Sequence, residues 1–232
     1  MNRLNIATFN IDKDNDHFPE RINNLLDVVY RDRFDILCLQ EDYYSEKISS
    51  GKLLNTQLEY NYISTKTREK ERNNTLSSSN LTILSKYPIQ LLEEIYFDKE
   101  QSEERAFQLV KIEIKETSII LVNTHLCHLS EKRRLEHIKI ILEKLKNYTS
   151  HIKLFCGDLN ALPNSEEIQL IKDEGFIDKN NDFTHEDKIT LDYIFYKSDK
   201  ILDVESKILL KGFSDHHCLL NSFDIFNNTN KG

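Results

Sequence analysis

The chain has 232 residues, with 31 Lys and Arg against 39 Asp and Glu, and its formal net charge is −8. Apolar residues make up 39% and charged residues 30%, a balance that excludes both a disordered chain and a membrane-spanning one. The negative total excludes a generic attraction to nucleic acid or to anionic membranes. Because α/β domains often exceed roughly 200 residues, we predict one domain over residues 1–226 and a tail over 227–232.

The start of the chain and its cysteines indicate the cellular compartment of the protein. The first residues run straight into a strand-like pattern, which predicts that there is no signal peptide. Four cysteines without a leader favour reduced thiols over a disulfide framework, and Cys38 and Cys156 lie inside apolar runs that are typical of a core. We therefore expect a cytoplasmic monomer.

Hydrophobic periodicity predicts a βα unit at the start of the chain. Pro19 opens a helix with Ile22, Leu25, Leu26 and Val29 on one face. The polar run Lys66–Ser79 predicts a loop. Apolar runs in this half predict strands at Leu4–Ile11, Asp35–Gln40, Tyr60–Ser64 and Leu81–Ser85.

The second half repeats the pattern. Ser130 is a candidate N-cap for a helix that turns Leu135, Ile138, Ile141, Leu142 and Leu145 inward, and a short helix follows from about Ser165. The predicted strands are Leu91–Phe97, Phe107–Ile114, Ser118–Thr124, Ile152–Cys156, Leu191–Tyr196, Ile201–Leu210 and His217–Phe226. Consecutive strands in the middle and βα units at the ends predict an α/β protein with two mixed, packed sheets and helices outside.

Polar residues interrupt these apolar strands at their ends. In α/β sheets such ends converge on one crevice, where ligands bind. The oxygen-bearing residues there suit Mg²⁺ or Mn²⁺ better than zinc, and two neighbouring histidines favour hydrolysis of a phosphate ester. The oxygen-bearing residues are Asn10, Glu41, Asp158, Asn160, Asp192 and Asp215, and the histidines are His125 and His216.

Seven segments, in order along almost the whole chain, resemble the motifs of the endonuclease/exonuclease/phosphatase superfamily. They are Thr8-Phe9-Asn10-Ile11, Leu39-Gln40-Glu41, Asn80–Ile89, Asn123-Thr124-His125-Leu126, Gly157-Asp158-Leu159-Asn160-Ala161, Leu191-Asp192-Tyr193-Ile194-Phe195 and Ser214-Asp215-His216. The resemblance implies a four-layered α/β sandwich, with two mixed β-sheets packed face to face and helices outside, and metal-dependent cleavage of phosphoesters.

The resemblance also implies a role for each matching residue. Glu41 would be the principal metal ligand, beside Asn10 and with Asp215 as a further metal-side carboxylate. Asp158 would orient or deprotonate the attacking water, and Asp192 would orient His216. The implied catalytic residues are His125, Asp158, Asn160, Asp192 and His216. The implied phosphate contacts are Arg105, Asn160 and His216.

Two positions indicate a branch of the family. His125 stands where tyrosyl-DNA phosphodiesterases, sphingomyelinases and pancreatic-type deoxyribonucleases have a histidine, and Asp42 replaces the threonine that follows the glutamate in apurinic endonucleases. The substrate stays open between nucleic acid, a lipid headgroup and a small metabolite. A binding protein with this fold that has lost catalysis is the alternative function.

A zinc cluster is the alternative to the hard-metal site. Histidines and cysteines occur together twice, but their spacings match no standard zinc pattern. The residues concerned are His125, Cys127, His128, His216, His217 and Cys218.

Overall fold

The computed structural model describes residues 2–12, 18–72, 74–98 and 104–226. The helices are α1 (Phe18–Asp32), α2 (Ser50–Leu58), α3 (Glu131–Lys146) and α4 (Glu166–Asp173). The strands are β1 (Asn2–Asn10), β2 (Ile36–Ser45), β3 (Asn61–Arg72), β4 (Thr75–Ser85), β5 (Ile89–Tyr96), β6 (Ala106–Ile114), β7 (Thr117–His125), β8 (Ile152–Asp158), β9 (Asp192–Ser198), β10 (Ile201–Leu209) and β11 (Cys218–Ile225). Within these ranges no helix is long and apolar enough to cross a membrane.

The strands form two mixed sheets. The first sheet has the order β10-β11-β1-β2-β4-β3, and the second has the order β5-β6-β7-β8-β9. Within the first sheet β1 and β2 run parallel, and within the second β7 and β8 do. The predicted pair of mixed sheets is therefore confirmed. The boundary of a single domain stays a prediction, and the predicted tail at 227–232 lies outside the described residues.

Three apolar layers hold the sheets and helices together. Ile6, Cys38 and Leu121 belong to the layer between the sheets, where Cys156 is also buried as expected. Helices α1 and α2 cover the outer face of the first sheet, and α3 and α4 cover that of the second. The result is the predicted four-layered sandwich, in which each fully buried aliphatic side chain contributes about 1.5–3 kcal/mol.

Residues 66–79 do not form the predicted loop. They belong to the hairpin of β3 and β4, whose pairing continues to Arg72 and Thr75. The polar composition misled the prediction because this part of the hairpin extends past the apolar layer. Its inward side chains, such as Thr67 and Ser79, are small and polar rather than aliphatic, yet they are buried.

Helix α2 was absent from the sequence prediction. It is short, and its apolar contribution to the core comes mainly from Leu54 and Leu58. Its N-terminus is fixed by Ser49, which accepts a hydrogen bond from the Lys52 N–H, and by Asp42 of β2, which accepts one from the Gly51 N–H at 2.8 Å. Capping of this kind satisfies backbone donors that the helix leaves unpaired.

The substitution Asp42→Asn tests the buried carboxylate at this cap. Burial raises the pKa of Asp42 from 3.8 to about 6. The stability linked to this group is therefore fully present below pH 3.8 and is lost as the pH rises through about 6. An asparagine keeps a carbonyl for Gly51 and offers an amide to the Thr82 hydroxyl, which donates to Asp42 in the wild type.

We expect Asp42→Asn to increase the free energy of unfolding by roughly 1–3 kcal/mol near pH 8 and by much less near pH 4.5. Urea unfolding at both pH values measures this. An equal change in the free energy of unfolding at the two pH values would show that burial does not raise the pKa of Asp42.

Candidate active site

The predicted site residues meet in one cleft, at the edge where strand ends of both sheets come together. The cleft has a volume of about 260 Å³. Its lining residues are Asn10, Asp12, Glu41, Arg68, Arg105, His125, His128, Asp158, Asn160, Asp215 and His216. Asp192 lies buried directly behind His216. All the candidate residues from the sequence are therefore in or beside this cleft.

The cleft runs across facing strands of the two sheets. Packing places β11 against β9, β1 against β8, β2 against β7, and β3 against β6. Four pairs of residues on or next to these strands follow one another along the cleft. In order, they are His216 and Asp192, Asn10 and Asp158, Glu41 and His125, and Arg68 and Arg105. The cleft consequently has a histidine–carboxylate end and an arginine end.

His216 and Asp192 form a buried pair at the first end. The Nδ1 atom of His216 lies 2.8 Å from Oδ2 of Asp192, and its Nε2 atom lies 3.6 Å from Oδ2 of Asp158. Burial alone would lower the pKa of His216, but the carboxylates of Asp192 and Asp158 outweigh it and raise the pKa to about 10. His216 is therefore an imidazolium at neutral pH, with Nε2 directed away from Asp192.

Asp158 lies between the two sheets at the middle of the cleft. Its Oδ2 atom accepts a hydrogen bond from Nδ2 of Asn10 at 3.0 Å and lies 3.2 Å from Nε2 of His125. Its Oδ1 atom accepts one from the N–H of Asn160 at 3.0 Å. Burial raises the pKa of Asp158, and the positive charge of His216 partly opposes the rise. The carboxylate is thus fixed in orientation by groups from both sheets.

Glu41 reaches the cleft because β2 contains a β-bulge. Cys38 and Gln40 face the other sheet and Leu39 faces the helices, but the pairing with β4 shifts register between Leu39 and Asp42. Glu41 is the extra residue, with a left-handed φ of 53°. A bulge re-aims a side chain in this way, and left-handed backbone in a non-glycine residue is typical of functional sites.

His125 stands beside Glu41 and carries no charge. Its Nδ1 atom lies 3.9 Å from Oε1 of Glu41. Burial lowers its pKa well below the usual value, and the nearby cations Arg105, His216 and Arg68 lower it further. The Nε2 atom of His125 lies 3.2 Å from Oδ2 of Asp158, and the neutral ring leaves the charge of Glu41 available to a cation.

Gly157 allows His125 and Asp158 to lie side by side on parallel strands. A Cβ atom built at Gly157 would lie 2.0 Å from the carbonyl oxygen of Thr124, and its φ of 139° is one that side-chain-bearing residues rarely adopt. The glycine therefore permits the register that pairs His125 with Asp158.

A buried amide network forms the floor of the cleft. Nε2 of Gln40 donates to Oδ1 of Asn123 at 2.8 Å and to the Thr8 hydroxyl at 3.0 Å. Asn123 in turn donates to Oε1 of Gln108 and to the carbonyl oxygen of Leu39. These bonds cross from one sheet to the other directly below Glu41 and His125.

The donor set fits a hard divalent cation. Glu41, Asn10 and Asp215 present carboxylate or amide oxygens to the cleft, and such atoms suit Mg²⁺ or Mn²⁺. Two groups of described residues could also bring three ligand atoms within 4.8 Å of one another, both around His216. Neither group contains a cysteine, so the zinc alternative gains no support within the described part of the chain.

Four residues in or beside the cleft were not among the predicted site residues, namely Asp12, Arg68, His128 and His185. Arg68 and His128 line it, and Arg105 donates from a guanidinium nitrogen toward Nδ1 of His128 at 3.3 Å. His185 packs edge-on against His216 with ring centroids 4.8 Å apart, and its Nε2 atom lies 3.8 Å from Oδ2 of Asp215. Arg68 lay in the predicted loop, His128 was considered only for the zinc cluster, and no pattern marked His185.

The comparisons with known proteins agree with this architecture. The sequence profile of the Endonuclease/Exonuclease/phosphatase family matches residues 7–216. The chain belongs to this family. Family members are generally hydrolases that act on phosphate esters and generally use a divalent metal. The resemblance seen in the seven sequence motifs is thereby confirmed. No curated protein matches the chain in sequence.

Solved structures share the fold at low sequence identity. A family protein from Leptotrichia buccalis superposes with a TM-score of 0.77 at 18% identity, covering 96% of this chain and 100% of its own. Truncated Caenorhabditis elegans TDP2 gives 0.72 at 18% identity, covering 95% and 97%. The Bacteroides thetaiotaomicron mannosyl-6-phosphatase gives 0.74 at 15% identity, covering 96% and 100%. Each likeness shows the fold alone.

The substitution Asp192→Asn tests the electrostatic origin of the imidazolium. Removing this carboxylate charge removes an interaction that raises the pKa of His216, so the titration should move to lower pH. NMR of the ring protons measures the shift. Asp199→Asn, at the exposed turn beyond the far end of β9, is the matched control and should leave the titration in place. An equal shift of the His216 titration in both variants would contradict the role assigned to Asp192.

Proposed function

We propose that the protein is a Mg²⁺- or Mn²⁺-dependent hydrolase of phosphate esters. The observation that carries the proposal is the position of Asp158, which is held between Asn10 of one sheet and His125 of the other, within 3.6 Å of the His216 imidazolium. A fixed carboxylate beside a fixed proton donor is the arrangement that hydrolysis of a phosphate ester requires.

Each residue of the cleft has a part in the proposed reaction. Glu41, Asn10 and Asp215 would hold the cation, which when bound neutralises phosphate charge and lowers the barrier to attack. Asp158 orients a water molecule and accepts its proton as the new P–O bond forms. His216 donates its Nε2 proton to the leaving oxygen as the old P–O bond breaks, and Asp192 keeps the ring oriented and charged.

Asn160, Arg105 and His125 complete the proposed site. Asn160 has a left-handed φ of 49°, and its N–H and side-chain amide bind Asp158 and the Leu126 carbonyl oxygen, so its position is fixed beside the reacting phosphate. Arg105 is 4% exposed and lines the opposite end of the cleft, where it would bind a phosphate oxygen of the substrate. His125 remains neutral and would stabilise the developing charge by donating a hydrogen bond.

The shape and charge of the protein favour a phosphate at a chain end or on a small headgroup. A cleft of about 260 Å³ lies below the roughly 300–1,000 Å³ of pockets that enclose a whole drug-sized ligand. The net charge of −8 opposes tight binding along a duplex, which depends on neutralising many phosphates. The likeness to the mannosyl-6-phosphatase supports a small phosphorylated substrate among the candidates. A cytoplasmic location and a monomeric state stay predictions.

A substrate panel tests the reaction and its metal requirement. The panel holds a 5′-tyrosyl oligonucleotide, a sphingomyelin-like lipid, a phosphoinositide, a sugar 6-phosphate and duplex DNA with one abasic analogue. We expect cleavage in Mg²⁺ or Mn²⁺, complete loss in excess EDTA, and abasic DNA to be among the poorest substrates. Glu41→Ala should lose activity that raised metal only partly restores. Full activity in EDTA would refute the proposal, and inactivity on every substrate would favour the binding-protein alternative.

The substitution His216→Ala tests the proton donor. We expect turnover to fall by at least about 10²-fold, because a positioned acid contributes on that scale. His217→Ala is the matched control, since this neighbouring histidine does not line the cleft, and its effect should be mild. Steady-state rates and thermal melting of both variants separate catalysis from folding. Near-wild-type turnover of His216→Ala would overturn its proposed role.

A further inference from the structure

The proton transfers of the proposed reaction do not use the arginine end of the cleft. Arg68 enters from β3 of the first sheet, and Arg105 enters from the start of β6 in the second. His128 lies beside Arg105 at 3.3 Å from its guanidinium. The positive charges of both arginines act on His125, whose pKa they lower. Cationic groups therefore converge from both sheets on one end of the cleft.

Arg68 reaches the cleft by the same backbone device as Glu41. The pairing of β3 with β4 shifts register between Thr67 and Lys70, and Arg68 within this bulge has a left-handed φ of 44°. Left-handed backbone is strained for a residue that carries a side chain. The Arg68 side chain lines the cleft, which Arg105 also lines.

The arginine end is separated from the histidine end along the cleft. Asp192 lies on β9, and Arg105 directly precedes β6. These two strands are three positions apart in the second sheet, which corresponds to about 14 Å between their backbones. Such a length leaves room for two anionic groups in a row. Arginine is the side chain best matched to a phosphate, because its planar donors bind two oxygens together.

We propose that Arg68 and Arg105 form a second anion subsite, which binds a phosphate of the substrate other than the one that is cleaved. The inference rests on the proposed function and narrows it to substrates that carry at least two phosphate groups. The subsite clamps this second phosphate from the two sheets at once, with His128 beside Arg105. It sets which substrates bind, whereas Asp158 and His216 carry out the cleavage.

Calorimetry with alkyl phosphates tests the subsite without depending on turnover. The Asp158→Asn variant in Mg²⁺ is titrated with propyl phosphate and 1,3-propanediol bisphosphate, and with hexyl phosphate and 1,6-hexanediol bisphosphate. We expect at least one bisphosphate to bind roughly 10- to 100-fold more tightly than its monophosphate, the scale of a charged hydrogen bond. Adding Arg68→Asn should reduce that ratio to near one, and asparagine tolerates the left-handed backbone at this position.

Lys66→Asn in the same background is the matched control. Lys66 lies two residues before Arg68 on β3, is exposed, and pairs with Glu69 outside the cleft, so this variant removes the same charge from the same strand. It should keep the bisphosphate preference. Equal binding of mono- and bisphosphates, or an equal loss in the Lys66 and Arg68 variants, would overturn the subsite. The wild-type substrate panel tests cleavage separately, so the two proposals can fail independently.

Discussion

The hydrogen bond between Gln40 and Asn123 is the interaction on which the geometry of the cleft depends. The apolar layer between the sheets is non-directional and would tolerate small shifts of one sheet against the other. An amide buried without its partner costs about 1–3 kcal/mol, so the network around these two residues allows one alignment. Gln40 precedes Glu41 and Asn123 lies two residues before His125. Aligning the amides therefore aligns Glu41 and His125 of the proposed active site.

Strained backbone concentrates where the cleft needs side chains that regular strands cannot supply. Regular strands bring Asn10, His125 and Asp158 to the cleft at their ends, whereas other positions need a change of backbone direction. Glu41, Arg68 and Asn160 all have left-handed φ values and all line it. The packing of the sheets and helices offsets this strain, because it holds the backbone before and after each of these residues in place.

Much of this organisation could be predicted from the sequence. Apolar runs marked most strands, and several polar strand ends together marked the cleft, because ligands of α/β sheets bind where strand ends converge. Ser130 and Ser165 marked two helix starts, and both accept hydrogen bonds from their helices. These features depend on local residue types, which a sequence displays directly.

The remaining features depend on contacts between distant segments. The β3–β4 hairpin is held by backbone pairing and buries hydroxyl groups such as that of Thr67, so its strands lack the aliphatic pattern of a core. Helix α2 depends on a carboxylate from β2 as well as on its own cap. Arg134, in the first turns of α3, pairs with the buried Glu167 of α4 at 2.6 Å. No sequence spacing reveals such partners.

Strand β3 lies at the outer edge of its sheet. The β3–β4 hairpin and the interior strands can therefore diverge separately in evolution. Strands β1 and β8, which carry Asn10 and Asp158, and β11, which follows His216, lie in the interior of the sheets, where an insertion would disturb pairing on both sides. The described residues nearest the tip of the hairpin pair across β3 and β4 beyond the last pair of β4 with β2, so insertions, deletions or the graft of a relative's hairpin would leave the interior strands intact. We therefore expect natural variation among family members to accumulate in the β3–β4 hairpin and to change substrate preference. The cleft residues of the interior strands should vary less.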